Sequence, residues 1–258
     1  MGGSYEADSG RVASACLFLL FEPGRRPDGD AVAQALASSQ SGFVSHDPRG
    51  GQSQDDAPEA WLELLVDGLT FDMLGLAPLA PLQWPKPRHY FGIAPEAIGG
   101  CEAVVIAPGP HLGASVNAMP VIRSMMGLTA AMLAQLDGAV GVIWQASGSV
   151  IGQDLFVQMI GSWLQGGVFP ALGLTSVYVA ENGCLTSDGL AFFTGQEIEI
   201  AADLSQDRPQ ATRLALRLID TMVGAEKLDC ATEILGPDNR PLRLTPMADG
   251  RRLRVSSG

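Results

Sequence analysis

Residues 117–136 have the pattern of an α-helix with almost no charge, which is stable only inside a protein. Apolar side chains recur with the helical period, and Arg123 is the single charged residue. The positions that follow this period are Ile122, Met125, Met126, Thr129, Met132, Leu133 and Leu136. A helix that is apolar on nearly every side must be covered by other parts of the fold. The segment is therefore predicted to lie buried between layers of a large core.

Short apolar runs predict strands on both sides of this helix. Runs at 102–107 and 140–145 precede and follow it, and a third run, 15–21, lies near the start of the chain. Further helices are predicted over 153–164 and 208–223, where apolar residues again follow the helical period. Strand-helix-strand order followed by antiparallel hairpins predicts an α+β fold, with mixed, largely antiparallel sheets and helices packed on one face.

Glycine-containing turns predict three hairpins. Asp-Gly at 67–68 and Asn-Gly at 182–183 suit two-residue turns, whose central residues need positive φ. Residues 194–196 fit a three-residue turn with the glycine in the left-handed region. In the strand that follows, Glu197 and Glu199 alternate with isoleucines, so we expect these two acids on a solvent-exposed face. Two carboxylates on one strand lack the further ligands of a magnesium or calcium site, so this hairpin is expected to be structural.

A proline-rich segment predicts a division of the chain into two unequal halves. Five prolines between residues 77 and 100 deny that segment regular structure. We therefore predict a small N-terminal α/β half at 15–76, a connection at 77–100 and a C-terminal α+β domain at 101–258. Residues 1–14 are small and polar and are predicted to be disordered.

The chain is acidic, which limits the partners it can bind. Sixteen basic against 28 acidic residues give a formal net charge of −12 over 258 residues. A protein that neutralises phosphates needs a basic stripe, and basic residues cluster only at 251–254. We expect no nucleic-acid partner. The apolar, methionine-bearing helices favour contact with a protein partner or with a second copy of the chain, as a homodimer.

The cysteines and the N-terminal sequence predict a cytoplasmic protein without a cofactor. The four cysteines, far apart and without zinc-site spacing, are Cys16, Cys101, Cys184 and Cys230. Cysteines scattered in this way are typical of small buried side chains in a reducing compartment. The N-terminus lacks the basic region of a signal peptide, and the apolar run 15–21 is too short for one. We expect neither a metal nor a cofactor.

One uncharged stretch is long enough to cross a bilayer. Residues 155–180 contain no charged side chain. Gln158, the Gln-Gly-Gly sequence at 165–167 and Pro170 interrupt it, as residues between a helix and a strand do. The stretch is therefore interpreted as core, with no membrane contact.

Ser115 and His111 are the candidates for catalysis. Ser115 lies between a strand and a helix, but the second glycine of a G-x-S-x-G nucleophile elbow is missing. His111 follows the end of a strand, where the sites of α/β proteins tend to gather. A hydrolase or small-ligand site in the 108–115 loop needs an acid such as Glu102 or Glu181 close to both residues.

The chain resembles a bacterial family of unknown function, the DUF4261 domain. The resemblance is strongest over 189–200 (GLAFFTGQEIEI), which is similar to that family's Gly-Leu, Phe-Gly, Glu-Leu-Glu motif with Thr194 inserted. Residues 125–144, ending in GVIW, also resemble the family's central region, and the likeness extends over about 102–223. The resemblance implies a bacterial domain and brings no catalytic or binding residue with it.

Two hypotheses for function remain open. The absence of a convergent catalytic set favours a non-enzymatic protein-interaction domain. The alternative is a small-ligand-binding protein or a hydrolase with its site near the 108–115 loop.

Overall fold

The computed structural model describes residues 15–48, 61–225, 227–236 and 239–258. Residues 1–14, which were predicted to be disordered, lie outside the described residues. The chain forms two compact units, which divide between Gly167 and Val168.

The first unit contains an eight-stranded sheet with the order β2-β3-β4-β6-β1-β7-β8-β5. Neighbouring strands are antiparallel except for β5 and β8, which are parallel. The strands are β1 (Leu17–Phe21), β2 (Phe43–His46), β3 (Trp61–Val66), β4 (Leu69–Leu74), β5 (His89–Phe91), β6 (Glu102–Pro108), β7 (Ala139–Trp144) and β8 (Ser149–Gly152). The helices are α1 (Gly29–Ser39), α2 (Met119–Leu133) and α3 (Gln153–Leu164), with short 3-10 helices at Pro95–Ile98 and Pro110–Ser115.

Local sequence signals explain where several of these elements begin and turn. The Asp28 carboxylate accepts a hydrogen bond from the Ala31 N–H at the start of α1, as an N-cap residue does. Asp67 and Gly68 both have positive φ and join β3 to β4, which confirms the predicted hairpin.

Helix α2 confirms that the nearly uncharged segment is buried. It is shorter than predicted, with bounds Met119 and Leu133, and it packs against α1, α3 and β6. Its fully buried side chains include Ile122, Met125 and Met126. These contacts keep the apolar side chains of α2 away from solvent, as a helix with almost no charge requires.

The proline-rich segment is part of the first unit, so the predicted division at 77–100 is wrong. Strand β1 lies between β6 and β7, so residues before and after that segment belong to one sheet. Side chains of the segment pack on one face of the sheet, against a cluster that includes Leu20, Ala103 and Ile143. The packing side chains are Trp84, Tyr90, Ile93 and Ile98. Prolines remove regular structure there without making the segment a linker.

The second unit contains a six-stranded sheet with the order β12-β13-β14-β11-β10-β9. Only the β11–β14 pair is parallel among the described strand pairs of this sheet. The strands are β9 (Ser176–Val179), β10 (Leu185–Asp188), β11 (Glu197–Ile200), β12 (Thr232–Leu235), β13 (Pro241–Pro246) and β14 (Arg252–Ser257). The helices are α4 (Ala171–Leu174), α5 (Leu190–Thr194) and α6 (Arg208–Met222).

One predicted hairpin of this unit is confirmed and the other is wrong. Strands β9 and β10 pair across the turn that contains Asn182 and Gly183, although Ala180 and Cys184 close a loop of three residues rather than two. Residues 190–194 form helix α5 where a strand was predicted. Gly195 nevertheless has the predicted positive φ, +78°, because it ends this helix in the left-handed region.

Both sheets are mixed and largely antiparallel, and the predicted α+β class is confirmed. None of the helices in the described ranges combines the length and the apolar character that crossing a bilayer requires. The uncharged stretch 155–180 instead contains most of α3, then α4 and strand β9.

Candidate protein-interaction site

His111 and Ser115 lie on the 3-10 helix that follows β6. His111 is exposed, and its Nε2 lies 2.8 Å from the Thr70 hydroxyl oxygen. Ser115 is also exposed, and its carbonyl accepts a hydrogen bond from the Ala118 N–H at 2.9 Å. No hydrogen bond joins the His111 and Ser115 side chains in the described part of the chain, so their catalytic role stays a prediction.

Of the two acids proposed to complete this site, Glu102 lies at the opposite end of β6, and Glu181 belongs to the other unit. Glu102 begins β6, six residues before its last residue, and a strand of that length extends about 20 Å. Its carboxylate accepts a 2.7 Å bond from Arg26, and this bond lowers the pKa of Glu102. Glu181 belongs to the β9–β10 turn in the second unit. Within the described ranges, no three His, Cys, Asp or Glu side chains are grouped to hold a metal ion.

Glu199 is buried, so the prediction of an exposed acidic face is wrong for this residue. Its side chain is 4% exposed, and its carboxylate pairs with Arg252 at 3.4 Å and Arg254 at 3.2 Å. Both arginines lie on β14, which pairs in parallel with β11. The sequence signal that could have found them is the alternation of arginine with apolar residues at 252–255.

Glu197 is half-buried and caps the start of α5. Its carboxylate accepts bonds from the N–H groups of Gly189 and Ala191, each at 2.9 Å, and of Leu190 at 3.2 Å. The Ser187 hydroxyl donates to the same carboxylate. Burial raises the pKa of Glu197, and these hydrogen bonds act against that rise. Both acids therefore make contacts within the fold, and neither lies on an exposed face; the purely structural role of this segment stays a prediction.

The edge strands of the two sheets are the other candidate binding sites. An edge strand presents unpaired backbone groups, and proteins usually protect it with charge, a bulge or short length. Strand β2 has a register shift, β5 has three residues, and β12 carries the exposed Glu233. Strand β9 has four residues, but it contains no charged residue and no register shift, since its sequence is SVYV and its pairing with β10 is regular.

The backbone of β9 presents two residues to the open edge. The Ala180 N–H donates to the Cys184 carbonyl, which places Ala180 in a hydrogen-bonded pair with β10. Hydrogen-bonded and non-hydrogen-bonded pairs alternate along an antiparallel ladder. Val177 and Val179 therefore direct their N–H and C=O groups away from β10, and no partner for these groups lies among the described residues.

Apolar side chains surround these backbone groups. Tyr178 and Val179 are 43% and 46% exposed and are adjacent in the strand, so they form a small contiguous apolar surface. Helix α4 packs against β9 and adds Leu172, which is 41% exposed. We call residues 172–180 the β9 edge.

Acidic residues stand at both ends of β9. Glu181 is exposed in the turn that follows the strand. Asp188, the last residue of β10, lies opposite Ser176 at the start of β9. An apolar strand between two acids suits an extended segment with basic flanks.

The sequence predicts the strand at 175–180 but not its position at the edge. That position depends on which strands pair, and β11 takes β14, more than 50 residues later, as its second neighbour. No protein-family model, curated protein or solved structure matches the chain. The resemblance to DUF4261 over 102–223 stays a prediction.

Proposed function

We propose that this chain is a non-enzymatic protein-interaction domain that binds an extended segment of a partner protein along the β9 edge. The observation that carries the proposal is the pair of outward-facing residues, Val177 and Val179, on a regular, uncharged edge strand. A strand added to a sheet edge gains affinity from main-chain hydrogen bonds and specificity from alternate side chains.

The size of the edge indicates a transient complex. Val177 and Val179 each offer one N–H and one C=O, and each bond contributes about 0.5–1.5 kcal/mol net. Covering the exposed parts of Tyr178 and Val179 adds an apolar contribution. Ordering the incoming segment opposes both gains, so the balance favours weak, reversible binding.

Charge favours a basic partner over a second copy of this chain. Antiparallel pairing of two β9 strands would bring Glu181 of one copy towards the Asp188 end of the other. Each copy also carries a net charge of −12. A segment with lysine or arginine at its ends is attracted by the same charges that disfavour a homodimer.

A synthetic peptide tests this proposal directly. The probe is a fluorescent seven-residue peptide of alternating valine and threonine with a lysine at each end, and fluorescence anisotropy measures its binding. In Val177→Pro, proline removes one outward N–H without breaking a bond to β10, so affinity is expected to fall at least about tenfold. The matched control is Glu233→Pro, which removes an outward N–H from the opposite edge strand, β12.

Two results would contradict the proposal. One is equal affinity of the Val177→Pro protein and the wild type for the peptide, with both proteins folded by circular dichroism. The other is a concentration-dependent dimer, measured by light scattering, that Val177→Pro dissolves, because the edge would then bind a second copy.

We also propose that the protein is bacterial and works in the cytoplasm. None of the four cysteines forms a disulfide bond in the described residues, which suits a reducing compartment. Burial raises the pKa of the Cys16 thiol to about 11, so this thiol stays protonated and unreactive at neutral pH.

A further inference from the structure

The first unit contains a surface cleft with a volume of about 560 Å³. It is bounded by the end of α1, the β3–β4 turn, one face of α2 and the end of α3. Pro120, Ser124 and Gly127, spaced like one face of a helix, form its α2 wall. Gly127 lets α3 approach closely, since a Cβ atom there would lie 3.0 Å from a Leu164 methyl group.

Arg123, the single charge of α2, lines this cleft in a fixed position. Its guanidinium lies over the Trp163 ring, 4.8 Å from the centroid. Its Nη2 donates to the Leu164 carbonyl at 3.2 Å. A guanidinium has five N–H donors, and this carbonyl is its sole acceptor among the described residues. An arginine held in this way is preorganised to bind a carboxylate through two parallel hydrogen bonds.

Asp67 provides an opposite charge in the same cleft. Its carboxylate accepts a 2.7 Å bond from the Ser124 hydroxyl, and its backbone has a φ of +51° in the β3–β4 turn. Asp67 and Arg123 form no ion pair with each other in the described part of the chain. Each is held instead by its own neighbours, so the cleft presents separate positive and negative groups.

From this arrangement we infer that the cleft binds a free α-amino acid with an aliphatic side chain. Its carboxylate pairs with Arg123 and its ammonium group pairs with Asp67. Val66, Leu128 and Leu164 supply apolar lining for the side chain. The volume lies within the range of about 300–1,000 Å³ that small-molecule sites occupy.

Calorimetric titration with L-leucine tests the inference. Saturable binding is expected, with a Kd below about 1 mM. Isocaproate is L-leucine without the ammonium group and isoamylamine is L-leucine without the carboxylate, so each should bind at least about tenfold more weakly than L-leucine. Failure of L-leucine to saturate, or equal binding of L-leucine and isocaproate, would overturn the inference.

Three variants separate binding from folding. Asp67→Asn removes the charge and keeps a residue that tolerates positive φ, while Arg123→Met removes the charge and keeps an unbranched chain over Trp163. Each is expected to weaken L-leucine binding at least about tenfold, and Arg213→Met, at an exposed position on α6, is expected to leave it unchanged. If either cleft variant melts like the wild type and still binds L-leucine with full affinity, the inference is wrong. Val177→Pro should also bind L-leucine normally, so this test stands independently of the β9 edge.

Discussion

Arg26 joins three parts of the first unit through one side chain. Its Nε donates to Glu102 at the start of β6, Nη1 to the Gly75 carbonyl after β4, and Nη2 to the Leu79 carbonyl in the proline-rich segment. The Arg26 side chain is 7% exposed, and three of its N–H groups donate hydrogen bonds within the fold. A buried arginine with this set of acceptors positions the segments around it.

The Arg26–Glu102 pair predicts a pH dependence of stability. The hydrogen bond from Arg26 is the main cause that lowers the pKa of Glu102, and the bond from the Gly24 backbone adds to it. A folded-state pKa below the unfolded value gives stabilisation that is present above the unfolded pKa, about 4.3, and is lost as pH falls through the folded pKa. Glu102→Gln should therefore lower the free energy of unfolding at pH 7, with a difference from wild type that shrinks below about pH 4.

Urea unfolding of both proteins between pH 3 and pH 7 measures this difference. Glu96→Gln, which changes an exposed acid before β6, is the matched control and should follow the wild type at every pH. A Glu102→Gln difference that is constant across the whole range would show that ionisation of Glu102 does not stabilise the fold.

The long helices and two of the three predicted hairpins of this chain follow from the sequence, whereas contacts across the sheets do not. Helix α3 occupies the predicted range 153–164, because its apolar period and its length both distinguish a helix from a strand. The run 190–193 is too short for that distinction, and it forms α5. Its capping group, Glu197, lies in the next strand, and no local pattern predicts a cap supplied from there.

The two candidate sites are also only partly predictable from the sequence. The sequence identifies Arg123 as the only charge of a buried helix, yet its position over Trp163 depends on how α2 packs against α3. The strand at 175–180 is predicted from its composition, but the open edge arises from the order of six strands. Long-range pairing therefore decides both sites.

Because Glu197 caps helix α5, replacing it should destabilise the protein, whereas replacing an exposed glutamate should have almost no effect. Glu197→Ala should leave three N–H groups at the start of α5 without their acceptor and lower the free energy of unfolding by about 1–3 kcal/mol. Gly195→Ala should cost about 1–2 kcal/mol, because alanine is strained at a φ of +78°. The exposed Glu233 is the matched control, and Glu233→Ala should change stability by less than about 0.5 kcal/mol.

Urea unfolding curves of the three variants provide these values. If Glu197→Ala is as stable as Glu233→Ala, the capping role of Glu197 is wrong. A stable Gly195→Ala would instead show that the end of α5 does not need the left-handed conformation.

At the scale of the whole molecule, the division of the chain is set by sheet pairing rather than by proline content. The proline-rich segment 77–100 contributes β5 to the sheet of the first unit and covers one of its faces. The two units separate between residues 167 and 168. The residues between the end of α3 and this boundary are Gln-Gly-Gly and include no proline. Prolines therefore mark irregular backbone here, and strand order marks the boundary between the units.

Trp84 tests whether the proline-rich segment belongs to the core of the first unit. Its indole N–H donates to the Cys101 carbonyl at 3.2 Å, and its ring packs on the cluster that contains Leu20 and Ile143. Trp84→Ala removes this cover from the central strands, and because the ring is only partly buried we expect a loss below the roughly 3–5 kcal/mol of a fully buried tryptophan. Hydrogen exchange followed by mass spectrometry should show faster exchange in β1, β6 and β7, with β10, β11 and β14 unchanged because they belong to the other unit.

Lys86→Ala, at an exposed position of the same segment, should leave every region unchanged. If Trp84→Ala exchanges like Lys86→Ala, the segment acts as a connection after all; if exchange accelerates equally in both sheets, the two units do not unfold separately.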